Sequence, residues 1–347
     1  MINILHIING WPPGGIAEQC YLLAKYLPKD QFRQYSIGYC YYDTPMYKKF
    51  VDTGMECLIS DMAYGNLLSV IREKKIDIVI KQTGGGDCPE YVQLLHDNKI
   101  PLIEWLHCPR ATSIPIDRVA KILYTTLYTL EKNLEIYHHK MQSIMYSLDL
   151  DGPIVDKVEC IDKDVIKVGR LCRIVPDKRP DVLLQLAAMS WIAFGPKVEF
   201  HIAGFVPTDY EYHKQYGAEI VKQMNQFPNI KYHGFVDNKY DFWRTLDICI
   251  NPVWETSFDI VFLEAMACGI PILTWDNSAA KYVVDDAGII TYEDMNSFYV
   301  GFQSLVRDAF SRQHLGNNGI RRLKEKMSLQ NYIDKHIQVI QEIVGDK

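Results

Sequence analysis

Apolar positions along the chain alternate between two periods. Residues 3–8 form a short, mostly apolar run that closes in the turn Asn9-Gly10-Trp11-Pro12-Pro13-Gly14-Gly15. Beyond that turn Ile16, Cys20, Leu23 and Leu27 recur at the spacing of an amphipathic helix. Further strands are predicted at 34–41, 76–80, 102–106 and 121–124. The alternation restarts with a strand at 165–171 and a helix at 179–194. Strands at 198–203, 230–234 and 248–251, a helix at 262–268 and a strand at 270–274 follow. Apolar strands separated by helix-period segments predict parallel sheets covered by helices on both faces. In residues 329–344, Ile333, Ile337, Ile340 and Val344 share one stripe, so this helix needs a partner surface.

Between the two series lies a polar, turn-rich stretch, 149–164, which opens with Asp149-Leu150-Asp151-Gly152-Pro153. It places a domain boundary near residue 160: residues 1–160, then 161–328, then a helix, 329–347, crossing back to the first domain. The 347 residues suffice for two domains, and a hydrophobic share of 48% against 23% charged excludes a disordered chain. A net charge of −6 argues against nucleic acid as the main partner, which needs a basic face. The nine cysteines are scattered and form no C-x-x-C pair, as expected of reduced thiols rather than a disulfide framework or zinc site. Met1–Ile8 lacks a basic region and a cleavage site and reads as a buried first strand. The longest apolar run, about 13 residues at 182–194, is shorter than a membrane span. Together these features predict a cytoplasmic protein, with at most a weak peripheral contact at the inner membrane face.

Chemistry concentrates in residues 251–272. A strand ends at Pro252, a polar loop follows, and a helix begins near Ile260 and ends at Gly269. Such a loop and helix start present free backbone N–H groups at a strand's C-terminal edge, an anion site by geometry and dipole. Glu264 lies about one turn in, where it could reach a ribose; otherwise Glu255 and Glu264 merely solvate the helix start.

The string Glu255-Thr256-Ser257-Phe258-Asp259-Ile260-Val261-Phe262-Leu263-Glu264 resembles the E-x7-E segment of the retaining GT-B glycosyltransferases, the group 1 type often called family 4. The likeness is strong in the C-terminal half and weaker in the N-terminal half. It implies a GT-B fold, two Rossmann-like α/β/α domains facing a central cleft. The implied activity is transfer of a hexose from a UDP- or GDP-sugar to a saccharide or glycolipid acceptor. A front-face mechanism without metal or other cofactor goes with it. Val168-Gly169-Arg170-Leu171-Cys172-Arg173 through Lys178 resembles the family's diphosphate-binding segment. There Arg173 and Lys178 fit the spacing, and Arg170 is the rival of Arg173. Glu264 would hold the ribose, Glu255 would orient the sugar, and Phe258, Asp259, Ile260 and Val261 would line the diphosphate. Ile202-Ala203-Gly204 and His233-Gly234 resemble strand ends near the nucleotide. Gly14 and Gly15 resemble the glycine-rich first turn, and His107 stands where the family has a sugar-contacting histidine, with a satisfied core histidine as its competing role. His6 reads as core and His138-His139 as a polar helix face.

The chain also departs from the family. Counting back eight from Glu264 reaches Thr256, with Glu255 one residue early, and Asp259 replaces a usual glycine. Lys81-Gln82-Thr83-Gly84-Gly85-Gly86-Asp87 replaces the usual strand end on the acceptor side. Asp149-Leu150-Asp151 is a D-x-D without the strand that would make it a metal site, so it reads as turn chemistry. Lys121, Lys132 and Lys140 with Ile122, Leu123, Leu127 and Leu130 suggest a basic-apolar helix of the kind lipid-acting members use, diluted by Glu131 and Glu135. Two other readings stay open. A catalytically impaired nucleotide-sugar-binding protein fits Thr256 and Asp259. A nucleotide-sugar epimerase or oxidoreductase is disfavoured by the missing G-x-G-x-x-G.

Overall fold

The computed structural model describes residues 1–345 apart from 13, 41–42, 63, 83–88, 150–153, 156–157, 160, 209, 257 and 278. The chain divides into two units, Met1–Asp149 with Met327–Lys347, and Leu150–Lys326. The stretch after residue 149, assigned above to the first domain, thus belongs to the second unit. There the Val155 N–H donates to Ala267 O at 2.9 Å and the Val158 N–H to Asn317 Oδ1 at 2.8 Å.

The first unit holds a seven-stranded sheet built from β1 (Ile2–Ile7), β2 (Phe32–Gly38), β3 (Glu56–Ile59), β4 (Ile78–Lys81), β5 (Leu102–Leu106), β6 (Lys121–Tyr124) and β7 (Met141–Ser143). Its order is β3-β2-β1-β4-β5-β6-β7, and every pairing is parallel. The second unit has six strands: β8 (Ile166–Leu171), β9 (Val198–Ala203), β10 (Ile230–Tyr232), β11 (Ile248–Asn251), β12 (Ile272–Trp275) and β13 (Gly288–Thr291). Their order is β10-β9-β8-β11-β12-β13, again all parallel. Both sheets are therefore doubly wound. In each, strand order reverses at one seam, β1 against β4 and β8 against β11, and ligands bind outside the carboxyl ends of such seams.

Burial explains why these segments became strands. Val168, Phe200, Ile202, Ile250 and Leu273 are buried against helices Pro180–Phe194 and Met295–Arg307, which contribute Val182, Leu186, Phe298 and Phe302. Leu5, Ile7, Ile37, Val79, Leu102 and Ile122 do the same in the first unit, with Val70, Ile71, Val92 and Leu95 from helices. A smaller cluster joins Trp11, Cys20 and Phe50.

Helix Leu329–Val344 packs within the first unit, but its buried stripe is Leu329, Tyr332, Ile333, His336, Val339 and Ile340. Ile337 and Val344 are only half-buried. The stripe is rotated because Tyr332 and His336 find specific partners: the Tyr332 hydroxyl donates to Gln19 O at 2.8 Å, and His336 lies 4.8 Å from the Trp105 ring. The basic-apolar segment after Arg118 is not one helix. It is strand β6 followed by the short helices Leu127–Glu131 and Glu135–His138. Ile122 and Leu123 are core, and Lys140 Nζ donates to Ile116 O and Val119 O at 2.7 Å each, so that lysine serves the fold. Leu127, Leu134 and Ile136 remain exposed. Among the described residues no helix is long and apolar enough to cross a membrane.

Candidate functional site

In the second unit the segment around Glu255 forms the predicted strand, loop and helix. β11 ends at Asn251, and helix Ile260–Ala267 follows Asp259, an extended residue whose side chain makes no hydrogen bond to the helix start. By geometry the first-turn N–H groups of Ile260 and Val261 lack intrahelical acceptors. Phe258 is buried, and its N–H donates to the Thr256 hydroxyl at 3.2 Å. Thus Thr256, at the position of the first family glutamate, shapes the loop. Glu255 is exposed.

The first basic segment lies beside this loop. Lys178 Nζ stands 3.6 Å from Asp259 Oδ1, and Asn251 Nδ2 donates to Asp259 Oδ2 at 2.7 Å. Arg179, left-handed at φ 49°, grips Asp181 with two nitrogens, Nε at 2.9 Å and Nη2 at 2.7 Å. Its guanidinium also lies 3.9 Å from the ring centre of Trp254, an exposed indole in the Glu255 loop. Consecutive cations therefore hold both ends of that loop, Arg179 at Trp254 and Lys178 at Asp259. Arg179 and Trp254 were not singled out in the sequence. An Arg directly after Lys178 and a Trp directly before Glu255 were the available signals.

Arg173 is exposed, whereas Arg170, on β8 at the β8/β11 seam, is only 2% exposed. All three guanidinium nitrogens of Arg170 are buried without a hydrogen-bond partner among the described residues. An uncompensated buried cation is costly and calls for an anion. Glu264 is buried too, but both its oxygens are engaged: Trp243 Nε1 donates to Oε2 at 3.1 Å and Lys239 Nζ lies 2.9 Å from Oε1. Each oxygen retains a second lone pair, so this fixed carboxylate can still accept from a ligand hydroxyl. Gly204 closes β9 at φ 138°, and a Cβ there would meet Cys172 O at 1.7 Å. Its N–H donates to Gly234 O at 2.7 Å, which ties the resembling strand ends together.

In the first unit Gly14 precedes helix Gly15–Tyr26, with open space around it. The sterically required glycine is Gly10 instead, where a Cβ would sit 1.9 Å from Cys40 O. His107 follows β5, is buried, and shares a hydrogen bond with the Tyr146 hydroxyl while its ring lies 4.6 Å from Trp105. Burial, helped by neighbouring His336, pulls its pKa down to about 3. His107 is therefore a neutral hydrogen-bonding group rather than a cation. His6 is core, as expected: Gln82 Nε2 and Gln34 Oε1 meet its two nitrogens at 2.6 and 3.1 Å, and burial lowers it to about 4. His138 and His139 are exposed.

Lys81 and Glu104, register partners on β4 and β5, make a buried ion pair at 2.8 Å, and the Thr112 hydroxyl donates to Glu104. A lysine closing one apolar strand and a glutamate in the middle of the next were its signal. The Thr83–Asp87 part of the acceptor-side segment lies outside the described residues. So do Leu150 and Asp151 of the D-x-D. Its Asp149 pairs with Lys25 Nζ at 3.0 Å and accepts from the Tyr26 hydroxyl at 2.6 Å, holding the unit together. Burial pushes the Cys20 and Cys249 thiols well up, which makes them poor nucleophiles; Cys88 and Cys160 lie outside the described residues.

Residues 162–308 match the family model for glycosyl transferases group 1. Over 188 residues the chain is 23% identical to a capsular polysaccharide biosynthesis glycosyltransferase, CapM, of Staphylococcus aureus, a match that takes in 53% of this chain and 48% of CapM. The chain thus spans about half the length of that curated relative. Among solved structures, Anabaena HepE in complex with UDP and glucose superposes with a TM-score of 0.79 at 14% identity, covering 99% of this chain and 100% of that one. A glycosyltransferase from Rickettsia africae superposes at 0.83 with 13% identity, covering 100% and 99%.

Proposed function

Starting from a GT-B chain that carries a group 1 glycosyl transferase domain, we propose that it is a retaining glycosyltransferase. It moves a hexose from a nucleoside diphosphate sugar to a saccharide or glycolipid acceptor. The observation that carries this reading is Arg170, a buried guanidinium without a hydrogen-bond partner among the described residues, at the seam of a doubly wound sheet. A diphosphate is the anion that suits it. UDP in the HepE structure and capsular polysaccharide in the name of CapM support the donor and acceptor classes.

In this reading Arg170 and Lys178 neutralise charge as the diphosphate departs, with Arg173 available from solvent. First-turn N–H groups at Ile260 and Val261 add partial positive charge. Glu264, fixed by Trp243 and Lys239, accepts from the ribose. Glu255 orients the sugar. In the first unit His107, neutral and held by Tyr146, is the residue proposed for a sugar hydroxyl. Protein cations serve the leaving group, so the chemistry needs no metal. Departure and acceptor attack on one sugar face would retain the anomeric configuration.

A thermal-shift panel of UDP-, GDP- and ADP-sugars identifies the donor, because stabilisation scales with affinity. Release of the sugar from that donor, with or without acceptor, is then expected. A donor that binds yet is never turned over would establish the impaired, binding-only alternative. Failure of every nucleotide to bind would overturn the reading altogether.

A further inference from the structure

Asp259 occupies an unusual place. It is the last residue before helix Ile260–Ala267, where approaching anions gain from the helix dipole, yet it is itself an anion. Its carboxylate does not cap the helix. Asn251, buried at the end of β11, donates to one oxygen at 2.7 Å, and Lys178 stands 3.6 Å from the other. The lysine proposed for the diphosphate thus already has a counter-anion, one attached to the protein.

We propose that Asp259 is a built-in competitor for Lys178, which the ligand diphosphate must displace, and that it sets how strongly this site holds anions of different charge. The inference rests on the diphosphate reading of Lys178. When a ligand takes over the lysine, Asp259 cannot leave: the strand-borne Asn251 and the backbone keep its charge close. The penalty therefore grows with the charge of the ligand. A free nucleoside diphosphate ends in a phosphate that gains a further charge above a pKa of about 6. In the sugar-linked donor that oxygen is esterified and the charge is absent. Asp259 consequently weakens the departing product more than the arriving donor, which favours product release.

Calorimetric titration of UDP, GDP and ADP, and of their glucose esters, into the whole chain at about pH 7.5 and about 0.1 M salt tests this. Asp259→Asn keeps the side chain's shape and its contact with Asn251. It is expected to bind the preferred free diphosphate about tenfold tighter and the sugar-linked form about threefold tighter, from loss of one close like charge. Asp259→Ser, a residue suited to a helix start, must show the same gain. Lys178→Ala must weaken binding, and in its background the Asp259→Asn gain must shrink to the like-charge part, because the competition for the lysine is gone. Equal or weaker binding in both Asp259 variants, with Lys178→Ala still impaired, overturns this inference alone. Equal gains for the free and sugar-linked forms overturn the discrimination. Unimpaired binding in Lys178→Ala, or no binding of any nucleotide, overturns the diphosphate reading beneath it.

Discussion

Acidification to about pH 5 should destabilise the first unit before most carboxylates titrate. His6, His107 and His336 are all buried there, and burial lowers them from 6.5 to about 4, about 3 and about 4. The unfolded chain therefore binds more protons than the native one between those values and 6.5, so stability falls as pH falls through that window. At about pH 5 each histidine costs about 2 kcal/mol, and the three together about 6 kcal/mol, from the linkage relation with an unfolded pKa near 6.5. A typical domain holds only about 5–15 kcal/mol in total. His201 and His233 in the second unit shift in the same direction, also by burial. Carboxylates held below their ordinary range, such as Glu199 with Lys231, act only at lower pH. Urea unfolding at about pH 7.5, 6 and 5, with hydrogen exchange read in β5 and helix Leu329–Val344, measures the effect. His336→Phe should reduce the pH slope by about a third, one titrating group of three. A urea midpoint unchanged between about pH 7.5 and 5 would refute the argument.

Lys178→Ala should lower kcat/KM by about 10²–10³, and unchanged turnover would remove it from the leaving-group side. Arg170→Met should raise fold stability by about 1–3 kcal/mol while abolishing nucleotide binding, because it deletes a buried charge that has no hydrogen-bond partner among the described residues; calorimetry with and without nucleotide separates the two effects. Glu264→Gln removes the charge that Lys239 and Trp243 hold in place and that is proposed to accept from the ribose, so affinity should drop even for a bare nucleotide, alongside about 1–3 kcal/mol of stability. Gly204→Ala forces a Cβ against Cys172 O and should cost about 2 kcal/mol or more in urea unfolding.

Much of the architecture was legible because a parallel sheet buried on both faces writes itself as apolar runs. Leu102–Leu106, Lys121–Tyr124, Val198–Ala203 and Ile248–Asn251 fall where those runs fall. The edge strands Glu56–Ile59, Met141–Ser143 and Gly288–Thr291 escaped, since all are at most half-buried and short. At the site, residue identity was readable but partnership was not. Arg170 and Arg173 both suit a diphosphate by type, and only burial distinguishes them. Nothing in the sequence pairs Trp254 with Arg179, whose guanidinium lies 3.9 Å from its ring centre. Lys81 and Glu104 stand more than twenty positions apart, and strand register alone made them a pair.

The first unit is discontinuous: Met1–Asp149 is completed by Met327–Lys347. During synthesis, some 180 residues of the second unit emerge between these parts. Trp105 and Gln19 wait throughout for His336 and Tyr332. The second unit, continuous in sequence, can close on the ribosome first. The first unit acquires helix Leu329–Val344 only after the whole of the second unit has been made. Ribosome-bound chains in which a flexible linker replaces that helix and carries residue 326 clear of the exit tunnel should therefore show a protease-resistant second unit beside a first unit still open to cleavage.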